Sequence, residues 1–215
     1  MIKDTPFDAS QLKSKRRYEI NKGNKNFEVR LIKPSEMVAD VYRVTVSAYK
    51  GWPEKYRPAV TEKQISESVK QWDNALVFGA FLRENGILQG YAIVEDYKNY
   101  AAFSILRTNP ETERLGINAA IVDGILSELK DRFHDGFYIC DGSRAIRHET
   151  FFQDYLEKYF DFRKAFCKLN IRYKPGFGMI VKVLYPFRSL IGENSGISSK
   201  ISGILKMEEI CRNKQ

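Results

Sequence analysis

The sequence predicts an α+β fold in which a central mixed, twisted sheet carries helices on both faces. Three observations predict it. Apolar patterns follow the order strand, helix, helix, three strands, helix, strand, helix and two strands. The dipeptide Asn85-Gly86 is typical of a tight antiparallel hairpin between two of those strands. The strand–helix–strand unit across residues 100–140 predicts a parallel, right-handed crossover.

Length and composition fit one sizeable domain. The chain has 215 residues, of which 43% are hydrophobic and 29% charged. Its longest apolar runs are of strand length, well below the ~20 residues that span a bilayer, and the first residues lack the apolar core of a secretory signal. The three cysteines, at 140, 167 and 211, have neither paired nor metal-like spacing. We therefore expect a cytoplasmic protein without a structural metal.

The net charge of +8 favours anionic partners. A basic cluster lies near the N-terminus, at Lys13, Lys15, Arg16, Arg17, Lys22 and Lys25, and the C-terminal third is also basic. Such residues are most often a solvated surface. The alternative is contact with an anionic ligand or a membrane surface.

Residues 1–26 form a basic N-terminal extension, with a short helix predicted over residues 10–20. FEVRLI at 27–32 alternates as a half-buried strand does, and a helix begins at Pro34-Ser35. The proline-rich stretch 51–58 is a loop.

Thr61 and Gln64 have the spacing of a capping box, which predicts a helix to Trp72. The segments 75–82 and 87–94 are strands joined by the Asn-Gly turn.

A further strand over residues 100–106 leads through a polar stretch to a helix at 117–133. A short buried strand follows at 136–140, and then a helix at 151–159.

The last two strands are predicted at 162–173 and 178–185. Residues 189–215 form a weakly helical C-terminal tail, so the main domain is expected to span residues 27–188.

In this order of elements the chain resembles the GNAT acyltransferase superfamily over residues 27 to about 185. The matching features are the 27–32 strand with its Pro34-Ser35 helix start, the Asn85-Gly86 hairpin, the strand–loop–helix at 101–132, and Phe162-Arg163 after a helix. The resemblance implies a GNAT-like fold and acyl transfer to an amine.

Two short segments are similar to the Fem-type branch of that superfamily, which transfers amino acids from aminoacyl-tRNA in peptidoglycan synthesis. One is the basic segment 12–22 before the first strand. The other runs from Tyr173-Lys-Pro to the sequence YPFR at 185–188. This branch implies tRNA as a partner.

The stretch NPETERLGINAA at 109–120 occupies the position where the superfamily grips the diphosphate of coenzyme A. Unpaired N–H groups at a helix start suit an anion. The resemblance places acetyl-CoA or another acyl-CoA against Leu106, Thr108, Arg114, Gly116, Ile117 and Asn118.

Of the superfamily's pattern in this turn, only Gly116 matches. Glu113 and Asn118 replace a basic or amide residue and a small one, and Glu111 adds a second carboxylate. The alternative interpretation is a helix start stabilised by acidic residues, each contributing roughly 0.3–1 kcal/mol.

N-acyl transfer requires a base for the amine and an acid for the leaving group. The resemblance implies a glutamate on a middle strand and a tyrosine on the late helix. Glu95, with Asp96 beside it, is the candidate base, and Tyr155 the candidate acid. The alternatives are strand-end residues facing solvent and an aromatic residue of the core.

The loop after the 136–140 strand is a candidate acceptor site, because ligands bind beyond the carboxyl ends of parallel strands. It concentrates polar groups at Asp141, Ser143, Arg144, Arg147 and His148. A plain polar connection explains it equally. Cys140 lies beside it on a buried strand, which argues against a reactive thiolate.

Three functions remain open. The first is an N-acyltransferase that moves an acyl group, acetyl from acetyl-CoA above all, to an amine on a small molecule or cell-envelope precursor by direct attack. The second is a Fem-like transferase that uses aminoacyl-tRNA. The third is a GNAT-like domain that binds without catalysis.

Overall fold

The computed structural model describes residues 1–52, 54, 57–72, 75–142, 151–166, 169–191 and 197–213. The chain forms two compact units. Unit 1 comprises Met1–Ser143 and Phe151–Lys164, and unit 2 comprises Arg144–Thr150 and Ala165–Gln215.

Unit 1 is built on a six-stranded mixed sheet. The strands are β1 (Ile2–Lys3), β2 (Phe27–Leu31), β3 (Ala75–Leu82), β4 (Leu88–Asp96), β5 (Tyr100–Thr108) and β6 (Tyr138–Cys140). Their spatial order is β1-β6-β5-β4-β3-β2. Neighbouring strands are antiparallel except β5 and β6, which are parallel. The predicted mixed sheet, its hairpin and its parallel crossover pair are confirmed.

Helices cover both faces of this sheet. They are α1 (Ser14–Asn26), α2 (Val38–Lys50), α3 (Glu62–Val69), α4 (Ile117–Glu128) and α5 (Phe152–Phe160). Successive strand residues point to opposite faces. Phe78 and Val94 accordingly join the core beneath α4, whereas Val77 and Ile93 join the core beneath α2 and α3. The predicted arrangement is confirmed.

The helix α3 begins as its sequence predicts. The Gln64 N–H donates to Thr61 Oγ1 at 3.3 Å, and the Thr61 N–H donates to Gln64 Oε1 at 2.8 Å. The predicted capping box is confirmed.

Compact unit 1 includes residues 1–26, because the first residues are tied into it. β1 pairs with β6, and α1 packs against α4. Only Ile20 and Gly23 of α1 are buried. A contact made through a glycine leaves no apolar periodicity, so the sequence pattern does not show that this helix belongs to the unit.

The regular elements in the described part of unit 2 are helices. It contains α6 (Phe177–Leu184), a 3₁₀ segment (Tyr185–Leu190) and α7 (Ile197–Arg212). Among the residues that the structure describes, no helix combines the length and apolarity needed to cross a bilayer.

The two strands predicted at 162–173 and 178–185 are wrong. The described residues of the first carry only an isolated bridge between Arg163 and Ile2, and the second forms α6. The run GMIVKVL is continuously apolar apart from one lysine, and such a run does not distinguish strand from helix by period. The helix buries Val181 and half-buries Leu184, three residues later.

Candidate active site

The sheet opens where β5 separates from β6. Among the described residues the two strands pair at three positions, the last being Ala102 with Cys140. From Phe103 to Thr108, the described partner of β5 is β4. The β4–β5 register shifts at this point, because Val94 faces Phe103 and Ile93 faces Ile105. Ser104 is therefore the extra residue of a β-bulge, a feature that often redirects side chains beside active sites.

A cavity of about 300 Å³ lies at this opening. Its lining is Glu95, Tyr97, Tyr100, Ala102, Phe103, Ser104, Cys140, Asp141 and Gly142. The bulge thus lies beside the carboxylate that the sequence predicts as the base.

Two hydroxyl groups hold the Glu95 carboxylate. Ser104 Oγ donates to Oε1 at 2.9 Å, and the Tyr97 hydroxyl donates to Oε2. These hydrogen bonds, first from Tyr97 and then from Ser104, lower the pKa of Glu95 below its usual value. Glu95 is consequently ionised at neutral pH.

Aromatic rings flank this carboxylate. Tyr97 stacks on Tyr100 with ring centroids 4.6 Å apart, and Tyr100 stacks on Tyr138 at 5.3 Å. Aromatic faces attract cations. A carboxylate beside such a stack suits a protonated amine that must be bound before it loses its proton.

Asp96, the neighbouring acid, has a different role. Both of its oxygens accept hydrogen bonds from Arg132, at 2.7 and 2.9 Å. This interaction lowers the pKa of Asp96. Arg132 neutralises the charge of Asp96, whereas the described partners of Glu95 are neutral hydroxyl groups. The negative charge of Glu95 is therefore the one that remains to attract a ligand.

Tyr155 does not line the cavity that contains Glu95. Its ring packs against Tyr159 and Phe160, with centroids 5.0 and 5.8 Å away. Burial raises the pKa of Tyr155, and Tyr159 and Glu19 add to the shift. These contacts match the alternative interpretation, an aromatic residue of the core.

The loop after β6 is described only at its start. Asp141 accepts hydrogen bonds from the Met1 ammonium at 2.8 Å and from the Gln153 amide. Gly142 has a φ of +85° and lies so close to the Phe103 carbonyl that a Cβ would overlap it. Burial raises the pKa of the Cys140 thiol.

The other residues predicted in that loop, Ser143, Arg144, Arg147 and His148, lie outside the described residues.

The turn between β5 and α4 is a 3₁₀ helix, Pro110–Leu115, followed by Gly116 at a φ of +84°. The Asn109 side chain caps it by accepting from the Glu111 N–H at 3.2 Å. The Gly116 N–H, which a phosphate ligand would need, already donates to the Glu113 carbonyl at 2.9 Å.

Helix α1 covers this turn. A Cβ on Gly116 would lie 2.9 Å from the Gly23 nitrogen, and a Cβ on Gly23 would lie 2.5 Å from the Gly116 oxygen. The Asn26 side-chain amide also donates to the Leu115 carbonyl at 3.1 Å. Gly116 and Ile117 are both buried. Close backbone packing therefore accounts for the glycine, and α1 occupies the side of Gly116 toward which a Cβ would point.

The remaining residues predicted to hold coenzyme A do not form one open cradle. Thr108 is buried, with its hydroxyl 3.4 Å from the Asn118 side-chain oxygen. Leu106 packs against the core beneath α4, and Arg114 is exposed.

A groove continues from Glu95 along the face of the sheet that carries α2 and α3. A cavity of about 420 Å³ shares Glu95, Tyr97 and Ser104 with the first one. A third cavity, of about 540 Å³, shares Gln71, Trp72 and Ile105 with the second and has Arg107 in its lining.

Tyr97, Ser104 and Arg107 were not predicted as site residues. A polar serine inside the apolar run AAFSIL was a usable signal for a bulge. Tyr97 and Arg107 have no such signal in the sequence, because their place in the site depends on contacts that only the folded chain makes.

Comparison with known proteins finds likeness in structure. No protein-family model matches the sequence, and no curated protein matches it significantly. A ribosomal-protein-alanine N-acetyltransferase from Brucella melitensis biovar Abortus 2308 superposes with a TM-score of 0.51 and 15% identity, covering 68% of this chain and 99% of that one.

A second solved structure, described as a possible acetyltransferase from Clostridium difficile 630, has a TM-score of 0.50 and 10% identity. It covers 69% of this chain and 97% of that one. At such identities the likeness concerns the fold, and the mixed sheet with its opening beside β5 agrees with it. The chain therefore has the fold of the GNAT acetyltransferases.

Proposed function

We propose that the protein transfers an acyl group to an amine, with Glu95 as the base. The observation that carries the proposal is the position of this ionised carboxylate in the cavity beside the Ser104 bulge, where β5 leaves β6. The stacked tyrosines beside it suit the cationic form of the acceptor. A cytoplasmic location is part of the same proposal.

The reaction follows from these groups. The amine nitrogen attacks the acyl carbonyl carbon, so a C–N bond forms while the C–S or C–O bond to the donor breaks. Glu95 accepts the proton that the amine loses, directly or through a water molecule. The leaving sulfur or oxygen takes up a proton. Glu95 returns this proton, directly or through water, so the transfer balances without a further acid.

Acetyl-CoA or another acyl-CoA is the first donor to test, because it is the donor that the GNAT resemblance implies. Because α1 packs against Gly116 and its N–H is bonded to the Glu113 carbonyl, the proposal assigns that turn no role in donor binding. The acceptor is an amine on a small molecule or a cell-envelope precursor.

Aminoacyl-tRNA is the second candidate donor. The observation that favours it is the packing of α1 on Gly116, since a tRNA ester needs no diphosphate grip. The exposed basic residues of α1, such as Lys15 and Lys25, suit phosphate contacts.

A transfer assay with each donor and a panel of amines tests the proposal. Wild type should acylate at least one amine, and Glu95→Gln should lose that activity. Glu111→Gln is the matched control, because it makes the same change in an exposed residue of the 3₁₀ turn Pro110–Leu115. Absence of transfer with both donors, together with retained amine binding, would favour the third candidate, a non-catalytic binding domain.

A further inference from the structure

We propose that the part of the groove lined by Arg107 binds an oxyanion, a carboxylate or a phosphate, carried by the acceptor. That the ligand is the acceptor of the acyl group rests on the proposed function. The anion site itself is argued from Arg107 and its neighbours.

Among the described residues, the groups that hold the Arg107 guanidinium are neutral. It donates to the Tyr91 hydroxyl at 2.7 Å and to the Tyr49 hydroxyl at 2.6 Å, and it lies 5.0 Å from the centroid of the Tyr49 ring. Tyr91 is in turn 2.9 Å from the hydroxyl of the buried Thr45. Burial raises the pKa of Tyr91, so its phenol stays neutral and supplies no counter-charge.

No acid compensates this cation in the described part of the chain. Arg107 is half-buried, and among the described residues none forms an ion pair with it. Glu67 lines the same cavity but is exposed to solvent. A partly desolvated cation without a partner favours an anion, and the planar guanidinium suits bidentate contact with a carboxylate or phosphate.

The position of this cation defines the acceptor further. Arg107 lies three residues beyond the Ser104 bulge on the same strand, which corresponds to about 10 Å at the rise of a β-strand. The connected cavities leave room between the two points. We therefore expect an acceptor whose amine and oxyanion are separated by a spacer of about that length.

Direct anion binding tests the site without an acyl donor. Inorganic phosphate and succinate are titrated by calorimetry at low ionic strength against wild type and Arg107→Gln. We expect Arg107→Gln to weaken the anion that binds by at least tenfold. Arg30→Gln is the matched control, because Arg30 is an exposed arginine that packs over an aromatic ring elsewhere, 4.4 Å from the Phe81 centroid.

The two probes distinguish a phosphate-bearing acceptor from a carboxylate-bearing one. Glu95→Gln should bind the anion normally while losing transfer, which separates failure of this site from failure of the proposed reaction. Arg107→Lys keeps the positive charge but loses the planar guanidinium, so it should bind the anion with intermediate affinity. This variant also tests the site if Arg107→Gln does not fold. Equal affinity in wild type and folded Arg107→Gln, or binding of neither anion to wild type, would overturn the site.

An independent observation concerns unit 2. We infer that this unit docks on an anionic phospholipid surface through its α6 face, defined as Met179, Ile180, Val183, Phe187 and Leu190. These side chains are 73%, 53%, 62%, 55% and 81% exposed. Val181 and Leu184 point to the other side of the same segment, with Val181 3% exposed. Exposed apolar clusters of this kind mark interaction surfaces.

Charge identifies the partner of the α6 face. Residues 165–215 contain nine lysines and arginines and three glutamates, so they carry +6 of the chain's net charge of +8. Arg172, Lys174 and Lys200 are exposed and form no ion pair with any described residue. Two such basic surfaces repel each other, which disfavours a second copy of the chain. An anionic lipid surface attracts the cations and accepts the apolar side chains.

Vesicle co-sedimentation tests this docking. Wild type should bind vesicles that contain phosphatidylglycerol, bind pure phosphatidylcholine vesicles at least tenfold more weakly, and dissociate as salt is raised. The double variant Ile180→Ser/Val183→Ser should lose at least tenfold in affinity for the anionic vesicles. Ile87→Ser, on the β3–β4 hairpin and 43% exposed, is the matched control.

Two results would overturn the docking surface. One is equal sedimentation of wild type and the double variant with anionic vesicles, including no binding by either. The other is a concentration-dependent dimer in analytical ultracentrifugation that the same double variant abolishes, since a second copy would then occupy the α6 face.

Discussion

The two ends of the β5 segment that lies beyond its pairing with β6 differ in what covers them. One end is the Ser104 bulge, and the other is the turn between β5 and α4. At one end, the Ser104 bulge adjoins a cavity that contains Glu95. At the other, the chain turns through Gly116 into α4, and helix α1 packs on that turn with backbone against backbone. The first end has a charged group and space for a ligand. The second has a helix N-terminus whose nearest neighbour is part of the chain itself.

This difference shows that donors at a helix start form an anion site only where the approach is free. The α4 N-terminus follows a strand and begins with a glycine, as an anion-binding turn does. The approach to Gly116 is filled by Gly23, and its N–H is bonded to the Glu113 carbonyl. The Glu95 cavity and the Gly116 turn therefore differ more in how freely a ligand can approach them than in their local sequence motifs.

The strongest test of the comparison is Glu95→Gln. Removing the base should lower kcat/KM about 10²–10⁴-fold, whereas Asn118→Ala, at the covered end, should change it little. Steady-state kinetics with the donor that supports transfer measure both. An equal loss in the two variants would mean that the covered turn takes part in catalysis.

The next test concerns stability. Gly23→Ala should lower the free energy of unfolding by about 1–3 kcal/mol, because its Cβ would press on the Gly116 oxygen. Alanine favours an isolated helix over glycine by about 1 kcal/mol, so the sign of the change is informative. Urea denaturation measures it, and Asn21→Ala on the exposed side of α1 is the control. A stabilised Gly23→Ala protein would show that α1 does not press on the turn.

The smallest expected effect is a shift in pH dependence. Tyr97→Phe combined with Ser104→Ala removes both hydrogen bonds that lower the pKa of Glu95. The pKa should rise toward its usual value, so the acid limb of the profile of kcat/KM against pH should move to higher pH. Tyr100→Phe, which keeps both bonds, should leave the limb in place. An unmoved limb in the double variant would show that another group titrates there.

Local patterns predicted most of unit 1. Alternation predicted the strands, Asn85-Gly86 the hairpin, and Thr61 with Gln64 the start of α3, because each depends on neighbours within a few residues. Glu95 was predicted from the resemblance as a strand-end acid. Its partners, Tyr97 and Ser104, depend on a bulge in the strand pairing that no single segment encodes.

The features that the sequence did not predict arise from contacts distant in the chain or from ambiguous patterns. Gly23 and Gly116 are 93 positions apart, so the role of each glycine is visible only when both are placed. The spacing of Tyr155 fits a core residue and a site residue equally. The apolar run of α6 fits a strand as well as a helix.

The placement of the two tryptophans in the chain has an optical consequence. Trp72 lines both cavities between Glu95 and Arg107 and lies 5.9 Å from the Tyr91 ring, whereas Trp52 is exposed and packs edge-on against Tyr49. In a Trp52→Phe protein, the remaining indole emission would come from the groove alone. Its intensity and wavelength would then report ligand occupancy directly, without a label, in each titration described above.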